Sequence, residues 1–289
     1  MISLFLENYK GYSVLKNILE NYDKKIITSV IAARDLNTQK DYFDEIKQLS
    51  HQNEILFFEA GDKKIIKGDF SVAIGWRRII KDYKNTIIIH DSLLPKYRGF
   101  APLVNALING DNIIGATAFY ATENYDKGNI IAQEQLEIKY PIKIYDAIRL
   151  VTDLHILLVY KVFSGLKEGK LQGIVQDENL ASYSLWRDES DYAIDWNLSN
   201  IQIERFVDAV GYPYKGAFTM TDGKKIRVFD VEKVNDFKIV NRCPGKVVFI
   251  DQHKPVIVCG AGLLKIINAA YEGEEYSFFP FKKIKTRFY

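Results

Sequence analysis

Two cysteines, Cys243 and Cys259, are all that this 289-residue chain contains. They are too few for a disulfide framework and lack the spacing of a metal site, so both read as ordinary buried thiols. No apolar run approaches the roughly 20 residues that span a bilayer. The first residues, Met1-Ile2-Ser3-Leu4-Phe5-Leu6-Glu7-Asn8, lack the basic start, sustained apolar core and small-residue cleavage site of a secretion signal. The expectation is a soluble, cytoplasmic protein that makes no use of a membrane. An excess of one charge is missing too. With 39 basic against 37 acidic residues the formal net charge is +2, which gives no general reason to expect a nucleic-acid partner. The loop after the first strand-like run has no Gly-x-Gly-x-x-Gly, so nothing argues for bound NAD or FAD. Internal repeats, low-complexity blocks and long charge runs are likewise missing.

What is present is an alternation of short apolar runs with helical patterns. Ile2 to Leu6 reads as a strand, Tyr12 to Leu19 as a helix after a turn at Glu7 to Gly11, Lys25 to Ala32 as a strand and Lys40 to Leu49 as a helix. Glu54 to Phe58 and Phe70 to Gly75 follow as strands. This order predicts a Rossmann-like α/β domain built on a mostly parallel sheet. Ile144 to Glu168 carries Ile148, Leu150, Val151, Leu154, Leu157, Leu158 and Val162 and predicts a long amphipathic helix that closes it. After residue 205 the pattern changes to short strand-like runs, Lys225 to Val231, Gly245 to Ile250, Val256 to Cys259 and Leu263 to Asn268, separated by Gly, Pro or Asp turns. A small C-terminal β-barrel is expected there. The division is thus 1–180 for the first domain, 181–204 for a linker and 205–289 for the second. The basic run Phe281 to Arg287 is read as a solvated terminal strand, with contact to an anionic group as the alternative.

The strongest chemical signal is His90-Asp91-Ser92-Leu93-Leu94-Pro95-Lys96-Tyr97-Arg98-Gly99, followed later by Tyr125-Asp126-Lys127-Gly128-Asn129-Ile130-Ile131. His90 ends the run Thr86-Ile87-Ile88-Ile89, where a buried parallel strand gives way to its loop, and ligands of open α/β sheets bind at such ends. The Asp-Lys-Gly turn lies between two further apolar runs that can return Asp126 to the same edge. A carboxylate there orients an imidazole and stabilises its charged form. The other histidines, His51, His155 and His253, have no comparable context and read as structural.

The Ser-Leu-Leu-Pro-x-Tyr-Arg-Gly run of Ser92 to Gly99, Pro102, Gly110 and the Asp-x-Gly-Asn-Ile-Ile run of Asp126 to Ile131 stand in the order and spacing of a known family. In these segments the chain resembles the 10-formyltetrahydrofolate-dependent formyltransferases, which include methionyl-tRNA, glycinamide ribonucleotide and amino-sugar formyltransferases. The likeness is strong over 70–135 and looser after 180, through Trp186-Arg187, Ile194-Asp195-Trp196 and Tyr212 to Phe218. It implies an OB-like C-terminal barrel and a catalytic pair, His90 and Asp126. His90 would accept the excess proton of an attacking amine and return it to the departing folate nitrogen, since an imidazole's ordinary pKa is about 6.5. The resemblance also implies a folate contact surface at Gly75, Trp76, Arg77, Ile79, Ile80 and Asp126, and no metal. Ser92, Lys96, Tyr97 and Arg98 are candidates for the acceptor. Ser92 competes for a role in satisfying its own loop, and Arg98 for one in bracing it. Trp186, Trp196, Tyr212 and Tyr214 are candidates for stacking on a base, with burial as the competing role.

One family position departs. Relatives carry Asn two residues before the histidine, where its amide holds the developing oxyanion; here it is Ile88, which donates no hydrogen bond. Compensation by protonated His90, Asn85 or Asn105, a slow enzyme, and binding without catalysis all remain open. Position 105, where relatives often carry Trp, departs as well. The run from Gly75 to Ile80 together with His90 to Phe100 resembles bacterial surface-sugar formyltransferases of the pseudaminic acid type. The implied function is formyl transfer to the amine of a UDP- or dTDP-linked 4-amino-4,6-dideoxyhexose for surface polysaccharide, in a homodimer. A methionyl-tRNA formyltransferase and a non-catalytic folate or nucleotide-sugar binding protein are the alternatives.

Overall fold

The computed structural model describes residues 1–80, 83–273 and 277–289. These form two compact units. The first takes in residues 1–103, 112–138 and 146–186, and the second takes in 104–111, 139–145 and 187–289. Among the described residues no helix is long and apolar enough to cross a membrane.

The first unit is built on a seven-stranded sheet. Its strands are β1 (Ile2–Leu6), β2 (Ile27–Ala32), β3 (Leu56–Glu59), β4 (Phe70–Ile74) and β5 (Thr86–His90), with β7 (Ile113–Tyr120) and β8 (Ile130–Glu137). The spatial order is β3-β2-β1-β4-β5-β7-β8. The first five run parallel, and β7 and β8 add an antiparallel edge. Between β1 and β4 the order reverses direction, which is the switch point where such sheets open a crevice at their carboxyl ends. The two-residue strands β6 (Arg98–Gly99) and β9 (Tyr183–Ser184) pair separately.

Helix α1 (Asn8–Asn21) starts at once after β1, four residues before the sequence pattern suggests. Gly11, which the sequence pattern places in a turn, lies within the helix and serves packing: a Cβ there would lie 2.9 Å from Leu6 Cβ. Helix α2 (Phe43–Gln52) follows β2, and α3 (Pro102–Asn109) follows β6. Helix α4 (Ile144–Glu168) buries Ile148, Val151, Leu154, His155, Leu158 and Val162, a stripe at helical spacing. Leu150 and Leu157, expected in that stripe, face outward instead.

Register aligns one apolar row across the sheet. Phe5 sits opposite Ile31 and Ala73, and Ala73 opposite Ile88. Phe5, Ile31 and Ala73 form a buried cluster against which Phe58, Ile65, Trp76, Ile80 and Ile88 pack. No helix lies between β3 and β4 among the described residues, so connecting segments supply much of this cover.

The second unit holds the antiparallel strands β10 (Ala217–Thr221), β11 (Lys224–Val234), β12 (Val247–Asp251), β13 (Lys254–Val258) and β14 (Leu263–Tyr271), in the order β10-β11-β14-β13-β12. The last residues join its two edges. Met220 and Tyr289 exchange backbone bonds of 3.0 and 2.9 Å, while Thr286 O accepts from Val247 N at 3.1 Å and Phe288 N donates to Gly245 O at 2.8 Å. The sheet is thereby closed, which removes the exposed edges that invite aggregation. These last residues form a strap, along which Lys282, Lys283 and Lys285 of the basic run are exposed, as expected of a solvated terminal strand. Helix α5 (Asn200–Ala209) lies on β11 and begins with a capping box of Ser199 and Gln202.

Trp196 is buried, its indole donating to Thr219 Oγ1 at 2.9 Å and its ring 6.1 Å from that of Phe288. It is a core residue, not a stacking platform. Cys259 is also buried, and burial pushes its thiol up to about 12. Because Phe288 is both core and strap, Phe288→Ala should lower stability by about 3 kcal/mol. Urea denaturation followed by circular dichroism would show an earlier midpoint; an unchanged midpoint would contradict closure by this residue.

Candidate active site

The row immediately above the apolar one lies at the carboxyl edge of the sheet. Side chains alternate along a strand, so His90 shares a face with Ile88, Gly75 with Ala73, and Glu7 with Phe5. A polar rim thus caps an apolar shelf beside the switch point.

His90 is largely buried, and its two nitrogens are distinguished by their partners. Nε2 lies 2.9 Å from the Tyr97 carbonyl oxygen. A carbonyl only accepts, so Nε2 carries the proton and the neutral ring leaves Nδ1 with a free lone pair. Nδ1 faces Asp126 Oδ2 at 3.7 Å. That gap is too long for a hydrogen bond but short enough for a carboxylate to stabilise an imidazolium. Asp126 is fixed from two sides: its Oδ2 accepts from Gly99 N at 2.7 Å, and its carbonyl accepts from Gln176 Nε2 at 2.8 Å. Its φ of 54 is in the left-handed region, which aspartate tolerates better than most residues. The sequence motif therefore does bring His90 and Asp126 together.

The loop between them is braced from within. Ser92 is buried and donates to the Lys96 carbonyl at 2.6 Å. Thr117 Oγ1 donates to the Ser92 carbonyl at 2.6 Å and accepts from Leu94 N at 3.0 Å. Arg98 is fully buried. Its guanidinium meets Gln176 Oε1 at 2.8 and 3.1 Å, Glu178 at 2.8 and 2.9 Å and Tyr183 OH at 3.2 Å. The hydrogen bond to Arg98 holds the Glu178 carboxyl down at about 2. Of the two roles open to Arg98, acceptor contact and bracing of the loop, its hydrogen bonds fit the bracing role. Ser92 takes the bracing role as well. Lys96 is exposed, and Tyr97 is half-buried with φ 57 and contributes its backbone: its N–H donates to Ser182 Oγ at 2.9 Å.

The segment after β4 is fastened by buried carboxylates. Gly75 has φ +64, and a Cβ there would lie 2.7 Å from the Glu7 carbonyl. Glu7, buried at the start of α1, accepts from Arg77 N at 3.3 Å and from Arg78 Nε at 3.2 Å. Arg77 Nη1 donates to Asp35 Oδ2 at 2.7 Å. Trp76 packs edge-on against Phe5 with ring centroids 5.1 Å apart. Its buried Nε1 has no hydrogen-bond partner among the described residues. Ile80 packs on the apolar cluster, whereas Ile79 is exposed. An unmet indole donor beside an apolar wall fits a flat heteroaromatic ring such as a pterin.

Ile88 belongs to that wall, packed on the Phe5 cluster. Asn85, considered as a replacement amide, precedes β5 at its far end, about 17 Å from His90 at an ordinary rise per residue, and donates to the Asp69 carbonyl. Asn105 Oδ1 accepts from Arg187 Nη2 at 2.9 Å.

Three residues of this region escape a motif reading. Asp91 Oδ1 accepts from His155 Nε2 at 2.8 Å, and its Oδ2 is bonded by Lys10 Nζ. His155 is fully buried, with no partner at Nδ1 among the described residues. The available signal was a histidine inside the apolar stripe of α4, together with an aspartate beside His90.

Residues 23–144 match the family described as "Formyl transferase", and residues 188–276 match "Formyl transferase, C-terminal domain". A methionyl-tRNA formyltransferase from Lachnospira eligens is 29% identical over 192 residues, covering 65% of this chain and 61% of that protein. For such relatives the match thus spans less than two thirds of their length. One from Borrelia turicatae is 28% identical over 280 residues, covering 91% of this chain and 89% of the relative. Among solved structures, the N-formyltransferase from Helicobacter canadensis in complex with folinic acid and dTDP-3-aminofucose superposes with a TM-score of 0.70 at 17% identity, covering 92% of this chain and 98% of that one. At that identity the likeness bears on the fold alone.

Burial pushes Glu7 up from its ordinary 4.5 to about 7, Arg77 and Arg78 opposing and Asp35 adding to the rise. A raised folded pKa means that this group's stabilising contribution is present below pH 4.5 and is lost as pH rises through 7. Glu7→Gln should therefore flatten the pH dependence of thermal stability between pH 5 and 8, with no loss at pH 8. Parallel melting curves for parent and variant across this range would contradict the assignment.

Proposed function

The chain belongs to the formyl transferase family, and on that premise we propose that it moves a formyl group from 10-formyltetrahydrofolate to the amine of a nucleotide-linked amino sugar. The observation that carries the chemistry is the His90 ring, with Nε2 tied to Tyr97 and Nδ1 open toward Asp126. Bound folate would lie along Gly75, Trp76, Arg77 and Ile80, with Ile79 and Asp126 at its margins, and would supply the formyl carbon and the nitrogen that leaves it.

The chain's own part is proton management. An attacking amine forms its new C–N bond and gives up a proton to His90 Nδ1. Asp126 then faces an imidazolium and stabilises it. As the old C–N bond breaks, the same Nδ1 proton passes to the departing nitrogen, so His90 ends as it began. With Ile88 in place of an amide, the imidazolium takes the part of steadying negative charge on the formyl oxygen in this reading. That arrangement costs rate without abolishing it, since loss of one oxyanion donor typically costs about a hundred- to a thousand-fold.

Two observations support a sugar acceptor. The Helicobacter structure of like fold holds a dTDP-linked amino sugar. In the second unit Lys143, Lys233, Arg242, Lys265 and Lys283 each sit against a carboxylate, so acidic groups are interspersed among these cations where a polyanion calls for a basic face. The second reading, methionyl-tRNA as acceptor, is favoured by the names of the curated relatives.

Mass spectrometry with 10-formyltetrahydrofolate, a panel of UDP- and dTDP-linked 4-amino sugars and initiator methionyl-tRNA separates the two. The expected product is a sugar nucleotide heavier by one formyl group. Formylation of the tRNA alone would replace this reading. His90→Ala and Asp126→Ala should each fold normally and lower kcat by about a hundred- to ten-thousand-fold; an active His90→Ala protein would overturn the mechanism.

A further inference from the structure

Directly behind His90 lies a second carboxylate. Asp91 turns away from the His90 face, toward Lys10 of α1 and His155 of α4. All three side chains are buried or nearly so, with side-chain exposures of 12% for Lys10, 16% for Asp91 and 0% for His155. A buried carboxylate one residue from a proton-accepting imidazole, left uncompensated, would favour the imidazolium, because little water screens it.

We propose that Lys10 is the counter-ion that silences Asp91, so that the charge state of His90 answers to Asp126 alone. This rests on the reading of His90 as the proton-accepting group. Lys10 and His155 are positioning residues in this scheme, since neither is assigned a contact with the reacting atoms.

The bonding pattern leaves little room for another charge balance. The Asp91 carboxylate uses one oxygen for each partner. His155 gives its Nε2 proton to Asp91, and a second proton on its buried, unpartnered Nδ1 would be an unmet donor, so His155 is neutral. Burial holds it below the ordinary imidazole range despite Asp91. Burial alone would push Asp91 up, but Lys10 and the His155 hydrogen bond outweigh it and hold the carboxyl far below its usual range. The cluster therefore carries one positive and one negative charge.

Apart from Asp126, the other charges around His90 are matched. Asp126 faces it from the β7–β8 connection, Arg98 is paired with Glu178, and Glu7 lies two strands away with Arg77 and Arg78. Lys10 is the cation on the Asp91 side. Its place on α1 is set beside β4, with its Cβ 3.6 Å from where a Cβ on Gly75 would stand.

The test is the pH profile of kcat/KM for formyl transfer, whose acid limb reports groups of the free enzyme and free substrate. The amine's own titration is common to every variant. Lys10→Met should move the midpoint of the acid limb up by about one pH unit, while Lys10→Arg keeps the parental profile. Lys10→Met/Asp91→Asn, which removes both charges, should restore the parental midpoint. A parental midpoint in Lys10→Met, or a double variant as displaced as the single one, would overturn the proposal. If that single variant fails to fold, Asp91→Asn decides: with the Lys10 charge left unmatched the midpoint should move down, and a parental midpoint there refutes the pairing. His90→Ala is assayed in parallel. Activity in that protein removes the underlying functional reading, whereas an inactive His90→Ala beside an unshifted Lys10→Met removes only the counter-ion role.

Discussion

The hydrogen bond from His90 Nε2 to the Tyr97 carbonyl is the constraint on which the rest of the site depends. It decides which ring nitrogen holds a proton in the neutral state, and so which one can accept another. The loop geometry around it exists to keep that carbonyl in place. Ser182, Ser184 and the fully buried Arg98 anchor residues 97–99 to the segment that follows α4. Gln176 ties the same region to the backbone of Asp126 and Gly128. The two halves of the motif, far apart in sequence, are thus held through a shared set of buried side chains.

Electrostatics at the sheet edge follows from how that edge is built. Parallel strands deliver side chains from β1, β4 and β5 to one rim, and the apolar row below excludes water from beneath it. Carboxylates placed there are costly unless paired. Glu7 is held by the half-exposed Arg78 guanidinium and the Arg77 backbone N–H and remains strained by burial, whereas Asp91 is paired with buried partners and is firmly ionised. One carboxylate fastens the segment after β4 and the other sits silent behind His90. Asp126 keeps a direct line to the reactive nitrogen.

Much of this was legible in the residues. The long helix Ile144–Glu168 and the strands ending at Ile74 and His90 follow from apolar periodicity, since each is long enough or bounded sharply enough for one period to dominate. His90 and Asp126 were legible because their flanking motif is long. What was hidden depended on neighbours remote in sequence. Arg98 shows a fork suited to phosphate, and only the fold reveals Gln176 and Glu178 filling it. His155 looks like an ordinary residue of an apolar stripe until Asp91 arrives from β5. Gly11 resembled a turn because sequence carries no trace of the Leu6 side chain pressed against it.

The central claim is that His90 rests as the Nε2–H tautomer with Nδ1 as its basic nitrogen. Nitrogen NMR of protein labelled in the histidine ring tests this most directly, with His90→Gln used to assign the signals. The account predicts that, above the titration of the ring, Nδ1 of His90 resonates as an unprotonated nitrogen and Nε2 as a protonated one. The opposite pattern, with the proton on Nδ1 facing Asp126, would contradict it.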